Sequence, residues 1–578
     1  MTPDEGAKPI SLPRWYARFS TRTVGSSGTA VPDTVHAGPL TVFSASAGCE
    51  IAVFGEHDSV ALFDGFLFDR RELAKSCGVD VDAPTAQIIA EAYSQFGDRI
   101  LEQLDGCYLV AIWDASQRRL LVGHDALGRH PVFYASTASA LWFGSNILSL
   151  SASGNVSREP NRISLALAML RYWPETGETF FQHVRRLQPG HALRVSESLV
   201  VSERKYWDPL PDDDEPWLPE AQVLAEFEPA LSAAVARCMA LEPQGIMLSG
   251  GVDSVTIAAL AAEYLRAHGL GPLVGVSGQT GLALSPEESM QRRVTDALGM
   301  EHDVSTLVDW RAGQNDVELS LAISGELPSP TSIYWVGTYV RFYRRTAARQ
   351  IHTLLTGAGG DNWLGVAHTH VADLLGRMRL LSLSRFLSLS RRSAGYSFET
   401  LARRTLWENG VRPHVDSLWA LIAPDSKARF HQRRWQRALP AWLCPDPDLQ
   451  NELLERLVAR RTPSLTATGK VPQSYYRHSL RRVAHSYMHH ENETSFHIGN
   501  WCGVRLLSPY HDKRLVSFFN RISPDTLSLR NRYKGLLRPV VAARLPGLGL
   551  ENQRKESSTD DGGESLRELR DGIEHVWP

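Results

Sequence analysis

The 578 residues include only six cysteines, at 49, 77, 107, 238, 444 and 502, and no two form a Cys-x-x-Cys pair. Their scatter excludes a zinc ribbon and a disulfide framework, and it fits a reducing, cytoplasmic compartment. No apolar run reaches 18 residues, so no membrane-spanning helix is expected. Met1–Ile10 lack the basic and apolar regions of a secretory signal. Neither sign of charge is in excess: 61 Lys and Arg stand against 64 Asp and Glu, a formal net charge of −3, which offers no basic field for nucleic acid. What is present is ordinary globular material, 43% hydrophobic and 22% charged, in a chain long enough for about two to four domains.

The most informative stretch is Gly245–Ser254, Gly-Ile-Met-Leu-Ser-Gly-Gly-Val-Asp-Ser. Ile246, Met247 and Leu248 suit a buried parallel strand, Ser249-Gly250-Gly251 a tight turn, and Ile257, Leu260, Ala261, Tyr264 and Leu265 recur at helical spacing. Strand, glycine turn and helix start together make an anion cradle, since bare backbone N–H groups and the positive helix end face the same point. Asp253 and Ser254 fall at that helix start. A carboxylate there would repel a bare phosphate, so its expected use is to hold a Mg²⁺ that bridges phosphates. No Gly-Lys-Ser/Thr follows the glycines, which excludes the Walker A loop. The stretch resembles the Ser-Gly-Gly-x-Asp-Ser signature of the PP-loop ATP pyrophosphatases, which cleave ATP between its α and β phosphates to adenylate a carboxylate.

Two further strand ends are candidates to converge on the same ligand, because doubly wound sheets bind ligands at the carboxyl ends of their strands. Leu273–Ser277 reads as a buried strand whose backbone at Val276 would face an adenine ring. His352–Thr356 reads as another, running into Gly357-Ala358-Gly359-Gly360-Asp361. Asp361 again follows glycines, so Asp253 and Asp361 are expected to meet across the phosphates and share magnesium. The ATP-binding set is thus Leu248, Ser249, Gly250, Gly251, Asp253, Ser254, Val276, Thr356, Gly357, Ala358 and Gly360, with Asp253 and Asp361 as metal ligands.

The rest of the chain supplies boundaries. Residues 1–40 are rich in Ser, Thr, Gly and Pro, with one short strand expected at Trp15–Phe19 and loop for the rest. Ile51–Phe54 and Val60–Phe63 read as strands, Ala86–Phe96 as a helix, and Tyr108–Asp114 with Arg119–Gly123 as a hairpin. Pro211–Pro216 is an acidic, proline-bounded linker between residues 1–210 and 217–550. Ala221–Met239 is expected to be helical, Leu375–Arg404 to form amphipathic helices with solvated Arg faces, and Glu551–Pro578 to be a polar tail. His485 and His489 share a helix face, but no His-Glu-x-x-His and no third ligand accompany them.

Several stretches carry a wider resemblance. Leu104–Tyr108, Ala111–Asp114, His124–Pro131 and Phe181–His191, ending at Tyr206-Trp207, resemble the glutaminase-like domain of asparagine synthetase B-type enzymes. Gly357–Asp361 looks like the second glycine loop of their synthetase domain. Arg505–Asp512 and Tyr533–Arg538 resemble its closing motifs, the first loosely, with His511 in place of Leu. The resemblance implies two domains: an Ntn-type αββα sandwich, then an α/β PP-loop domain with a parallel sheet and a helical C-terminal part. It also makes Lys534 the active-site lysine, which would stabilise charge at the α-phosphate as pyrophosphate leaves. In the glutamine-using members a nucleophilic Cys follows the initiator Met; here that residue is Thr2. A Thr can act as an N-terminal nucleophile, but the glycine-rich start is absent too, so no glutaminase activity is expected.

Asparagine synthetases have Glu, and β-lactam synthetases Tyr, where this chain has Ala358. A degenerate first domain with Ala at that point is similar to lasso peptide cyclases. That resemblance implies adenylation of an Asp or Glu side chain of a core peptide, attack by the peptide's own N-terminal amine, and two pathway partners, a leader peptidase and a leader-recognition protein. The alternatives are a small-molecule amide or β-lactam synthetase, or an asparagine synthetase-like ligase, and, from another class, a non-catalytic scaffold. Pyrophosphate release separates enzyme from scaffold, and the substrate that triggers it separates the enzymes from one another.

Overall fold

The computed structural model describes residues 15–20, 34–43, 49–210 except 57 and 171, 216–279, 286–306, 323–329 in part, 336–461 except 395, 396, 441 and 445, and 475–553. Thr2, the linker residues 211–215 and the stretch 554–578 lie outside these, as does the side chain of His485.

The N-terminal part is two six-stranded sheets packed face to face. In the first the strands run in the order Arg185–Arg186, Phe133–Ser136, Leu141–Gly144, Tyr16–Phe19, Leu40–Phe43, Val35–Ala37. In the second the order is Val201–Lys205, His191–Ser196, Arg119–His124, Gly106–Asp114, Ser59–Leu67, Cys49–Phe54. Every neighbouring pair is antiparallel. The Gly106–Asp114 strand is apolar at nearly every position because both its faces are covered. Leu109, Ala111 and Trp113 enter the core between the sheets. Tyr108, Val110 and Ile112 point the other way, into a second core beneath the Thr85–Phe96 helix. The Ile147–Ala152 helix covers the outer face of the first sheet through Ile147 and Leu150, giving the αββα layering that the resemblance implies. The strands Val35–Ala37 and Leu40–Phe43 correct the expectation that residues 20–40 are loop. They are only three and four residues long, too short to show a period beside Gly38-Pro39.

The second part is built on a five-stranded parallel sheet, in the order His302–Thr306, Val274–Gln279, Gly245–Met247, Thr353–Leu355, Arg505–Leu507. Chain order reverses between Gly245–Met247 and Thr353–Leu355. Connections leave those two strands in opposite directions, opening a crevice at their carboxyl ends where such sheets take ligands. The Val252–Ala267 helix is apolar almost all round because it lies between the sheet and the Leu537–Arg544 helix. Leu380–Ala394, Leu401–Val411, Arg412–Ile422 and Pro424–Ala438 form a helical module beyond the second glycine loop, and Leu401–Val411 is wound as a π-helix. Among the described residues no helix is long and apolar enough to cross a membrane.

The two parts are joined by polar contacts with long sequence separation. Arg129 donates through Nη2 to the Leu506 carbonyl at 2.9 Å, and Lys513 through Nζ to the Glu102 carbonyl at 2.7 Å. Arg237 pairs with Asp512, which caps the Lys513–Phe519 helix through the N–H groups of Arg514 and Leu515. Asp105 is buried beside this cluster, and its Oδ2 has no hydrogen-bond partner. Burial, then the charge of Asp512, pushes its carboxyl up to about 7, against the pull of Lys513, Arg237 and Arg514. In the unfolded chain the group titrates near 4. Between about pH 4 and 7 the folded state therefore holds the proton more tightly, and stability falls as pH rises through that window. Asp105→Asn is expected to remove this loss: Tm measured by calorimetry should fall less between pH 5 and pH 8 in the variant than in the unaltered chain.

Candidate active site

Each glycine of the first loop is placed by contact. Gly250 has φ +86°, and a Cβ there would stand 2.0 Å from the Glu287 carbonyl oxygen, so only glycine fits. Ser249 Oγ accepts from the Gly251 N–H at 3.2 Å and meets Ser254 Oγ at 3.0 Å, closing the turn against the helix start. Leu248 donates its N–H to the Val276 carbonyl at 2.9 Å. That carbonyl, expected to face an adenine, thus already carries one sheet hydrogen bond. Ser277 Oγ donates to the Leu248 carbonyl at 2.8 Å.

The second loop packs directly onto the first. Thr356 donates its N–H to the Leu507 carbonyl at 2.8 Å, and its Oγ1 accepts from the Ala358 N–H at 3.3 Å. A Cβ on Gly357 would stand 2.6 Å from the Ser254 nitrogen, and one on Gly360 2.5 Å from Asp253 Cγ. The absence of side chains at both positions lets Asp253 and Asp361 approach each other. Gly360→Ala is expected to push the Asp253 carboxylate aside and slow ATP-dependent pyrophosphate release roughly 10-fold to 10²-fold, since misplacement of about 1 Å is that costly.

Asp253 and Asp361 do converge, but on Lys534. Lys534 Nζ pairs with Asp253 Oδ2 and lies 2.6 Å from Asp361 Oδ1. The lysine is buried at 5% exposure and sits in the left-handed region, φ +54°. This strained conformation is held by Gly535, where a Cβ would clash with Leu529, and by Arg538, whose Nε donates to the Tyr533 carbonyl at 2.8 Å. The two carboxylates expected to share magnesium thus also share the Lys534 ammonium, which occupies the point between them. The donor set still suits the ion, because Mg²⁺ takes one or two carboxylates and completes its shell with phosphate oxygens and water. Among the described residues no three His, Cys, Asp or Glu side chains form a cage that would hold a metal without such help.

Sequence reasoning missed several parts of this site. Tyr533 donates its hydroxyl to Asp361 Oδ1 at 2.9 Å. Gln553 donates through Nε2 to the Gly250 carbonyl at 2.8 Å, and Arg538 binds the carbonyls of Leu550, Glu551 and Gln553. Residues 551–553 therefore belong to the fold, correcting a tail drawn from Glu551. Ser508 Oγ donates to the Ala358 carbonyl, and the His511 ring packs on Gly359. Burial, then Arg129, pushes that imidazole down to about 3. Glu491, on the Tyr475–Cys502 helix, is lifted above the usual carboxylate range by burial and then by the charge of Asp361. Tyr533 and Arg538 had a sequence signal in their place beside Lys534 in one motif, and Ser508 and His511 in the other closing motif; Gln553 had none.

A hollow of about 200 Å³ lies between the two parts, lined by Asp64, Cys107, Arg129, His130, Asn492 and Arg505 among others. Cys107 is fully buried there, and burial pushes its thiol up. Cys49 is likewise pushed up to about 12, by burial and then by Asp64. Neither is an activated nucleophile at neutral pH.

Comparisons with known proteins agree with this layout. The "Asparagine synthase" family model matches residues 226–577, and the "Glutamine amidotransferase domain" model residues 62–207. An asparagine synthetase (glutamine-hydrolyzing) 3 from Bacillus subtilis is 25% identical over 37% of this chain and 35% of its own length. Amidase chyE from Penicillium rubens is 28% identical over 36% of this chain and 31% of its own. Amidase chry2 from Gibberella zeae is 23% identical over 64% and 54%. The matched stretch is thus about a third of the length of the first of these relatives.

Proposed function

This chain belongs to the asparagine synthase family, and we propose that it is an ATP-dependent amide-forming ligase that closes a macrolactam ring in a ribosomal peptide. A side-chain carboxylate oxygen of the peptide attacks the α-phosphorus of ATP. The α–β bridge bond breaks, and pyrophosphate leaves with its electron pair. The peptide's N-terminal amine then attacks the acyl carbon, AMP leaves with the carbon–oxygen electron pair, and the amine gives up one proton. The residues contribute charge and position. The glycine-loop N–H groups and the start of the Val252–Ala267 helix would hold the phosphates. Lys534 is buried and would stabilise the negative charge that builds up on the α-phosphate. Asp253 and Asp361 would hold Mg²⁺ against the phosphate oxygens, which neutralises the triphosphate.

The observation that carries the reading is the intact Asp253–Lys534–Asp361 cluster beside Ala358. The cluster serves adenylation, while Ala358 has no side chain able to donate or accept a proton. The two unreactive thiols, Cys49 and Cys107, favour an amine that belongs to the substrate over ammonia from glutamine. A leader peptidase and a leader-recognition protein are the partners this reading requires, since the N-terminal amine must be freed first. A ligase acting on small molecules is the second reading, favoured by the names of the relatives, asparagine synthetase and amidase.

Pyrophosphate release from ATP·Mg²⁺ distinguishes them. Release with a leader-free core peptide, together with a product lighter by one water, is the expected result. Release with aspartate and ammonia alone would move the function to the small-molecule reading. Silence with every substrate would leave a scaffold.

A further inference from the structure

Among the described residues, most of the exposed large apolar side chains fall between Met378 and Trp442, in the helical module beyond the second glycine loop. Val415, Leu418 and Ile422 are spaced by three and four on the Arg412–Ile422 helix, and Val411 and Trp407 extend the row backwards through the π-helix. The ring of Trp419 lies 5.2 Å from that of Phe430, which carries the apolar surface onto the Pro424–Ala438 helix. Leu418 is 58% exposed and Ile422 73%. A row of this kind on one helix face needs a cover.

The charge of the module says what the cover is. Between Arg377 and Trp442 there are thirteen Arg and Lys against four Asp and Glu, in a chain whose formal net charge is −3. Arg429, Arg433, Arg434 and Arg437 are exposed on the helix that carries Phe430. Glu556–Pro578 has the opposite character, with seven Asp and Glu against two Arg. Its apolar residues Leu566, Leu569, Ile573 and Val576 are spaced three, four and three apart, the spacing one helix face would require. The segment also starts close by. Arg532 Nη2 donates to Asn552 Oδ1 at 3.0 Å, and the Leu380–Ala394 helix packs on Leu529–Asn531, next in sequence to Arg532. From Gln553 to Leu566 is thirteen residues, roughly 43 Å of extended chain.

We infer that Glu556–Pro578 of the same chain docks on the apolar, arginine-flanked face formed by the Arg412–Ile422 and Pro424–Ala438 helices. The apolar rows meet, and the acidic residues lie among the arginines.

Hydrogen–deuterium exchange on the full chain tests this, comparing the unaltered protein with Leu418→Asp/Ile422→Asp, with Arg433→Glu/Arg434→Glu, and with Leu569→Asp/Ile573→Asp. Amides of residues 566–577 are expected to exchange at least tenfold slower in the unaltered chain than in either module variant. Amides of 411–422 should speed up in the segment variant, and 0.5 M NaCl should weaken the protection. The second module variant guards against misfolding of the first. Exchange of 566–577 at free-peptide rates in the unaltered chain, or equal rates in all four proteins, overturns the inference. So does protection that vanishes on tenfold dilution, which assigns the cover to a second copy. Protection of 411–422 only on phosphatidylserine vesicles, with 566–577 unprotected, overturns it in favour of a membrane surface.

Discussion

Lys534→Met is expected to slow ATP-dependent pyrophosphate release by roughly 10²-fold to 10³-fold while changing the Kd for ATP far less. The ammonium stands between Asp253 and Asp361, buried, in a backbone conformation that most residues avoid. A group held in this way costs little reorganisation when charge develops on the α-phosphate, and in a site shielded from water its effect is large. A surface lysine with the same sequence neighbours would do nothing of the kind. The comparison needs both a steady-state rate and an equilibrium ATP titration. A uniform loss of ATP affinity with an unchanged maximal rate would place the lysine in ground-state binding instead.

Glu493→Ala is expected to destabilise the protein by about 3–5 kcal/mol. Arg186 and Glu493 are both almost fully buried, and Arg186 Nη2 donates to Glu493 Oε2 at 3.0 Å alongside a second bond from Nε. The pair joins the sandwich to the long Tyr475–Cys502 helix across 307 residues of sequence. Removing the carboxylate leaves a guanidinium in the interior whose remaining partners are the Glu178 carbonyl and the Phe133 ring. Replacing both residues by apolar ones of similar volume, Arg186→Met with Glu493→Leu, should recover most of the loss, because the buried pair repays little more than its own desolvation. Denaturant melts of the two variants check this, and equal destabilisation in both would show that shape, not the orphaned charge, governs the site.

What could be read from the sequence was local. The strand–glycine–helix signature and the second glycine loop are written in consecutive residues, because tight turns restrict which residues can stand there, and the structure places both loops at the reversal of strand order. The contacts of Gly357 and Gly360 with Ser254 and Asp253 give the physical reason for those glycines. Lys534 reached the site on paper only through a resemblance, since nothing in its neighbours tells a buried lysine from a solvated one. Gln553 was invisible for the same reason, and the closing motifs that hold Tyr533 and Ser508 do not say what those residues touch: the partners of the three lie 303, 172 and 150 residues away. The interface between the two parts was illegible too, because a buried Arg186 or Asp105 reads in sequence like any surface charge. The short strands at Val35–Phe43 fell below the length at which periodicity can be counted.

The central claim is that the two glycine loops, with Asp253, Asp361 and Lys534, activate a carboxylate as an acyl-adenylate. The most direct measurement is oxygen transfer. A core peptide whose side-chain carboxylates carry oxygen-18 is incubated with the full chain and ATP·Mg²⁺, and the nucleotide product is weighed by mass spectrometry. The account predicts AMP heavier by two mass units, because the carboxylate oxygen that attacked the α-phosphorus leaves with it. Unlabelled AMP, or ADP with the label in phosphate, would contradict it.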